Sequence, residues 1–434
     1  MPRSTDAPPS AVAGRASPGL GVLVVGFSLR WFGFSFYGFF VLLLLHSSFG
    51  LTFAEAGLDV AAVALVALPF SQLGGGLSDR WGRRGVVVLS LAGEAGGLAL
   101  VAWGISVDSL AVVLGALAVS RALAALGFPA TIAYVRDSTD SATRTAGLSW
   151  LRVGGNLGAV GGVALAGVLL AFVGYGPLTA LAALLIGAVA GANAVWLRPT
   201  ERDRSLPASA GVGRSAAGRP TRALPKIGRS LYSTFEPLWA DRDLLLTVLA
   251  IALIYLLNLQ VGYAIPTFGL EVLGIPYPVL GALLAFNGLV PALGQVPLTR
   301  ALAGRRLTVA GVWGTALYAV SFLVLGVDGE ARAAVVAVFA LVVIVASLAE
   351  NLCFLPVYTL PVNLAPETSR GVYAGASLSA AGVGGVFAPL LAGVALTFSS
   401  HPVVTWAILA APAVPAMVIL RRLGSRLPGG QDRI

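Results

Sequence analysis

Charged residues are scarce in this chain. Asp, Glu, Lys and Arg make up 11% of the 434 residues, whereas soluble domains carry about 25%. Hydrophobic residues account for 57%. A chain with so little charge cannot cover a globular surface with polar groups, so a soluble protein is excluded and a lipid bilayer is the expected surrounding.

Residues that build disulfides, metal centres and catalytic pairs are also few. Cys353 is the single cysteine and there are two histidines, so no internal disulfide can form and no metal-ligand spacing is present. No nucleophile lies in a recognisable pattern with a base. We therefore expect no cofactor, no bound metal and no enzyme activity.

Long apolar runs dominate what remains. Twelve runs of about 20 residues or more occur, enough for helices that cross about 30 Å of hydrocarbon. They are continuously apolar rather than alternating, which predicts helices and excludes a barrel. The runs lie near 20–45, 54–77, 85–105, 109–133, 145–172, 177–197, 244–268, 278–298, 307–327, 333–360, 371–396 and 402–420.

The net charge of +9 follows the topology of these runs. Of 28 Lys and Arg residues, 24 fall in segments that alternate spans place on one side. This asymmetry predicts a multi-pass protein of the cell membrane with both termini cytoplasmic. The basic excess therefore indicates lipid headgroups as its partner, and no nucleic acid.

The chain divides into two related halves. "LGGGLSDRWGRR" at 73–84 has an echo in "LGQVPLTRALAGRR" at 293–306, and "RTAG" at 144–147 has one in "RGVYAG" at 370–375. These offsets of about 220 residues indicate a duplicated six-helix unit. The predicted parts are a disordered N-terminus (1–19), a first bundle (20–197), a cytoplasmic linker (198–243), a second bundle (244–420) and a cytoplasmic tail (421–434).

The bend "GGLSDRWGRR", from Gly75 to Arg84, resembles the signature that the major facilitator superfamily carries between its second and third helices. The resemblance implies an all-α membrane fold of twelve helices in two pseudo-symmetric bundles. It also implies that the bend is a conformational latch. In the family, the aspartate docks on the start of the eleventh helix, here near 369–371, and the arginine pairs with an acid that closes the fourth helix. The implied latch residues are Gly75, Asp79, Arg80, Gly82, Arg83 and Asp137.

At two places the sequence departs from the patterns of particular groups within this family, which argues against membership of those groups. Val163 follows Gly162 where the drug–proton antiporters have Gly-Pro. "RWFGFSFYG" at 30–38 is similar to the first helix of proton-coupled peptide transporters, but Leu29 and Gly26 stand where that group has glutamates.

Ionisable residues inside the runs are candidates for the site, because each costs roughly 2.5–3.5 kcal/mol in hydrocarbon unless it has a partner or a wet cavity. Five stand well inside: Arg30, Glu94, Arg121, Arg152 and Glu350. In the family, helices one, four, seven and ten line the central cavity. The resemblance therefore implies cavity positions for Arg30, Tyr37, Arg121, Tyr255 and Asn258, and a proton-coupling role for Glu350.

The sequence leaves the roles of these charges open. Arg30, if it is not fully paired within the protein, could hold an anionic solute, whereas Glu94 reads as a buried partner for an arginine. Glu350 could change its protonation as its distance from Arg30 or Arg121 changes. Arg152 lies near the end of its run and could extend to the interface instead.

We therefore predict a secondary active transporter that works by alternating access, acts as a monomer, and moves a small organic solute with protons. Two alternatives stay open at this point: a sensor or scaffold with the same fold, and a multispanning enzyme that acts on lipid.

Overall fold

The computed structural model describes residues 18–140, 143–200, 203–204, 241–326, 332–367 and 370–434. Within these ranges, twelve helical segments are long and apolar enough to cross a membrane. The predicted all-helical class and span number are thus confirmed. The N-terminal segment up to residue 17 and residues 205–240 of the predicted linker lie outside the described part of the chain.

We number the spans 1 to 12 in chain order. Spans 1 to 6 are Pro18–Gly38 with Val41–Phe49, Phe53–Trp81, Arg83–Ser106, Leu110–Ser138, Arg144–Val173 and Tyr175–Trp196. Spans 7 to 12 are Arg242–Asn258 with Ala264–Glu271, Tyr277–Ala301, Leu307–Leu325, Arg332–Leu364, Arg370–Leu396, and Pro402–Ala410 with Ala413–Arg426.

The helices of spans 1, 7 and 12 are interrupted within the span. The uniform hydrophobicity of these runs did not predict the interruptions. In span 7 a short 3₁₀ turn, Leu259–Val261, interrupts the helix. Buried Gln260 donates its side-chain N–H to the carbonyls of Leu256 (2.9 Å) and Ala388 (3.1 Å). The amide thus satisfies backbone acceptors where no water is available, and it ties the break to span 11.

Spans 1 and 5 pack with almost no side chain between them. A Cβ at Gly158 or Gly162 would collide with the backbone carbonyls of Ser28 and Phe32, and one at Gly154 would collide with the Ser28 hydroxyl. The stripe of small residues at every fourth position therefore brings the two backbones together, as its spacing predicts.

The two halves meet along two helix pairs, span 2 with span 11 and span 5 with span 8. At the first contact, Gly57 faces Gly393 and the carbonyl of Pro389. At the second, Gly167 faces Gly281. Each contact requires glycine, because a methyl group at these positions would overlap the opposite backbone.

We call the side where span 2 ends and span 3 begins the basic face. The segment 427–434 lies there, folded back onto the bend between spans 8 and 9. The Asp432 carboxylate, which is fully buried, accepts hydrogen bonds from the backbone N–H (2.8 Å) and hydroxyl (2.7 Å) of Thr308 and pairs with Arg306 at 2.7 Å. The predicted tail is therefore partly helix, through Arg426, and partly a packed segment.

Candidate functional site

The bend between spans 2 and 3 is organised around Arg83. Its guanidinium lies 2.6 Å from the Asp79 carboxylate, 2.9 Å from Asp137 at the end of span 4, and 2.6 Å from the Ser78 hydroxyl. Gly82 supplies the left-handed backbone (φ 88°) that lets one helix stop and the next begin.

The remaining residues of the implied latch are more peripheral. The carbonyl of Gly75 accepts a hydrogen bond from the Ser78 hydroxyl at 2.8 Å, and Arg80 is exposed. Asp79 was predicted to dock near 369–371. Residue 369 lies outside the described part of the chain, and of residues 370 and 371 only the backbone is described. The latch across the two halves thus stays a prediction, while the Arg83 cluster within the first half is in place.

The second half repeats this bend between spans 8 and 9. Gly304 has a left-handed backbone (φ 78°), as Gly82 does. Arg84 donates to the carbonyl of Ala194 at the end of span 6, and Arg306 donates to the carbonyl of Gly424 at the end of span 12. The two arginines therefore make equivalent contacts in the two halves, which supports the duplication.

Arg30 is paired within the protein. Its Nε donates to one Glu94 oxygen at 2.6 Å and its Nη2 to the other at 3.2 Å, in a two-point ion pair between spans 1 and 3. The Glu94 side chain is fully buried and that of Arg30 is 16% exposed. Arg30 was expected to hold an anionic solute only if it was not fully paired within the protein. Its ion pair with Glu94 means that this condition is not met.

Arg121, on span 4, faces aromatic rings of its own half instead of an acid. Its guanidinium carbon lies 4.7 Å from the centroid of the Phe34 ring and 5.6 Å from that of Tyr37. Among the described residues it forms no ion pair. The Tyr37 hydroxyl beside it is buried and has no hydrogen-bond partner there. A half-buried cation and a buried hydroxyl thus lie side by side.

Glu350 occupies the corresponding region of the second half, on span 10. The side-chain amide of Asn258 reaches it, and the same amide donates to the Tyr318 hydroxyl at 2.9 Å. Glu350 makes no ion pair with any described residue. Arg152, rather than the expected Arg30 or Arg121, is the basic residue whose charge acts on it.

Arg152 reaches from span 5 across to the second half. Its guanidinium carbon lies 5.0 Å from the centroid of the Tyr358 ring on span 10. Phe354 lies between that ring and Tyr255, with centroids 5.4 and 5.3 Å away, and its contact with Tyr255 is edge-to-face. The sequence left open whether this arginine extends to the membrane interface; in the structure its side chain is exposed and contacts a ring of the second half.

The two halves are also joined by a hydrogen bond on the face opposite the basic face. The hydroxyl groups of Tyr175, at the start of span 6, and Tyr277, at the start of span 8, lie 3.2 Å apart. The Gly167–Gly281 contact, between spans 5 and 8, lies about one helical turn further along span 8 than Tyr277. Neither tyrosine was a sequence candidate, because a lone tyrosine at a span end is ordinary in membrane proteins.

Twelve segments of the described chain are long and apolar enough to span a membrane, and they form a multi-pass membrane fold. The family model of the Major Facilitator Superfamily matches residues 23–389. The chain therefore belongs to the major facilitator superfamily, and its relatives by fold are transporters rather than enzymes.

Solved structures agree on the fold. A structure described as an auto inhibited POT family peptide transporter has a TM-score of 0.71 at 17% identity, covering 94% of this chain and 97% of the other. The nucleoside transporter NupG has a TM-score of 0.70 at 12% identity, covering 94% and 100%. A bacterial homologue of the lysosomal transporter Spinster has 0.68 at 13%, covering 94% and 96%. No curated protein sequence matches the chain.

Proposed function

We propose that this protein is a secondary active transporter that carries a small organic solute with an anionic group, driven by protons through alternating access. The main supporting observation is that each half contains one intramembrane charge without an ion pair and that these two charges have opposite signs. Arg121 in the first half and Glu350 in the second are both without an ion pair among the described residues, in a medium where an unpaired charge is costly.

Arg121 is the proposed anchor for the solute. A guanidinium can give two parallel hydrogen bonds to a carboxylate or phosphate, and the idle Tyr37 hydroxyl can give a third. The Phe34 ring contacts the guanidinium through a cation–π interaction, which takes up none of its hydrogen-bond donors. These features support an acceptor-bearing solute over a lipophilic cation, which the Arg121 charge would repel.

Glu350 is the proposed coupling group. Glu350 is half-buried inside span 10, and its nearest polar influences are the Asn258 amide and the charge of Arg152. Because Arg152 belongs to the other half, rocking of the halves changes its distance from Glu350 and so changes proton affinity.

A thermal-shift screen against carboxylates, phosphates, amphoteric metabolites and lipophilic cations tests the solute class. A ligand at about 100 times its dissociation constant stabilises the folded state by about 2.7 kcal/mol. We expect the stabilising compounds to be acceptors, and Arg121→Gln to abolish their effect. Arg422→Gln, an exposed arginine of span 12, is the control. Stabilisation by lipophilic cations alone would contradict the proposal.

Uptake of the stabilising compounds into proteoliposomes tests transport itself. Accumulation of solute that requires a pH gradient supports a proton-coupled transporter. Binding without any flux would favour a sensor of the same fold, and chemical conversion of added lipid would favour an enzyme.

A further inference from the structure

An unpaired amide is buried between spans 8 and 10 of the second half. Asn351, next to Glu350 on span 10, is 1% exposed. Neither its side-chain nitrogen nor its side-chain oxygen has a hydrogen-bond partner among the described residues. Because a buried donor and a buried acceptor are both left without a bond, the side chain destabilises this conformation. An apolar residue of similar size would not carry this cost.

The amide lies against a glycine of span 8. A Cβ at Gly294 would stand 2.7 Å from the Asn351 side-chain nitrogen, so the glycine makes room for the amide. Pro291 and Pro297 flank this glycine inside the helix. Because proline has no N–H to donate, each of them removes one backbone hydrogen bond and loosens the preceding turn. The stretch 291–297 of span 8 can therefore turn about its axis more easily than an unbroken helix.

The first half packs the equivalent helices differently. Gly74 of span 2 and Gly294 of span 8 are the second residues of the Leu-Gly pairs that open the repeated segments. A Cβ at Gly74 would overlap the backbone carbonyl of Leu126 on span 4. The backbones thus touch directly in the first half, whereas the Asn351 amide fills the same place in the second. Packing of such a helix pair does not require an amide here, so the amide needs another explanation.

A second amide follows directly on span 8. Gln295 donates its side-chain N–H to the Thr299 hydroxyl at 3.4 Å, longer than the usual range of about 2.7–3.2 Å. An amide carries both donors and an acceptor, so Gln295 can bond to both unpaired atoms of Asn351 at once. Adjacent residues stand about 100° apart around a helix, and the long Gln side chain covers part of that angle. A partial turn of span 8 therefore brings the two amides together.

We propose that Asn351 and Gln295 form an amide switch between spans 8 and 10. The two amides are apart in this conformation, and they bond to each other through two hydrogen bonds in a second conformation in which span 8 has turned. The second conformation is the other state of alternating access, so the switch rests on the proposed function. The unpaired amide raises the free energy of the first state and the pair lowers that of the second, which keeps both states populated.

Thermal unfolding of the full-length protein in detergent distinguishes the switch from an ordinary structural amide. Asn287→Ala is the matched control for Asn351→Ala, because the buried Asn287 amide of span 8 donates to the Ser347 hydroxyl at 2.7 Å. The two variants remove equal volumes, but only Asn287→Ala breaks a hydrogen bond. We expect Asn351→Ala to melt about 2–4 °C above Asn287→Ala. An equal or lower melting temperature for Asn351→Ala overturns the proposal.

The populations of the two conformations are measured as distances between the halves. Spin labels are attached to Arg136→Cys on span 4 and Arg421→Cys on span 12, both exposed at the basic face, after Cys353→Ala has removed the native cysteine. Electron paramagnetic resonance should then show two distances. We expect Asn351→Ala to lower the population of the second severalfold. Gln295→Leu should do the same, and the double variant should add nothing further, because the pair is lost only once.

A single distance in the labelled protein overturns the proposal, and so does a population that either variant leaves unchanged or that the double variant lowers additively. The distances need no solute, so the two proposals fail separately. If the populations respond as expected while no solute ever crosses the membrane, the amide switch stands and the proposed transport function fails. If solute is transported while neither amide affects the populations, the switch fails alone.

Discussion

Arg83→Gln removes both ion pairs at the bend between spans 2 and 3. The structure predicts how much of the lost stability comes from each pair. An exposed ion pair contributes about 0.2–1 kcal/mol to stability, less as exposure grows. The side chain of Asp137 is 24% exposed and that of Asp79 is 53% exposed. We therefore expect a coupling energy of about 1 kcal/mol between Arg83 and Asp137 and about 0.3 kcal/mol between Arg83 and Asp79.

Double-mutant cycles on thermal unfolding in detergent measure both energies. Transport should depend more on Asp79 than on Asp137, in contrast to stability, because the family resemblance gives Asp79 the role of docking on span 11. Asp79→Asn should leave stability nearly unchanged and still cut transport strongly. Asp108→Asn, at an exposed acid between spans 3 and 4, is the control and should affect neither.

Two results would refute this reasoning. A larger coupling for Asp79 than for Asp137 would mean that burial does not set the strength of these pairs. Equal transport per folded molecule in Asp79→Asn and the unmodified protein would reduce the motif to an anchor of positive charge on one face.

Two further substitutions test the packing. Asp432→Ala should destabilise the second bundle by about 2 kcal/mol, since it removes three hydrogen bonds and leaves Thr308 unsatisfied; a melting temperature equal to that of the exposed control Arg433→Gln would contradict this. Gly158→Val should lower the yield of folded protein sharply, because its side chain would overlap the Ser28 carbonyl; normal yield and melting temperature would show that spans 1 and 5 can separate at no cost.

Span number and the Arg83 bend could be predicted from sequence because both are local. A run of apolar residues fixes a span by its length alone. The bend is a contiguous motif, and the glycine stripe of span 5 is a pattern within one helix. Each of these needs no knowledge of which helix lies beside which.

The charge pairs could not be predicted in the same way. A span that is apolar all round gives little indication of which face it turns inward, so the partner of Arg30, 64 positions away at Glu94, was not determined. Arg121 and Arg152 look alike in sequence, yet one faces rings of its own half and the other reaches the opposite half. Asp432 gave no signal, because its contact joins the segment after span 12 to a bend more than 120 residues earlier.

The most direct test of the central claim is the proton flux that a stabilising solute produces in proteoliposomes containing a pH-sensitive dye. The account predicts that Glu350→Gln abolishes accumulation driven by a pH gradient but retains part of the solute exchange at zero gradient, because exchange needs no net proton movement. Glu271→Gln, at an exposed acid at the end of span 7, should behave like the unmodified protein. Continued accumulation by Glu350→Gln under a pH gradient alone would contradict the account.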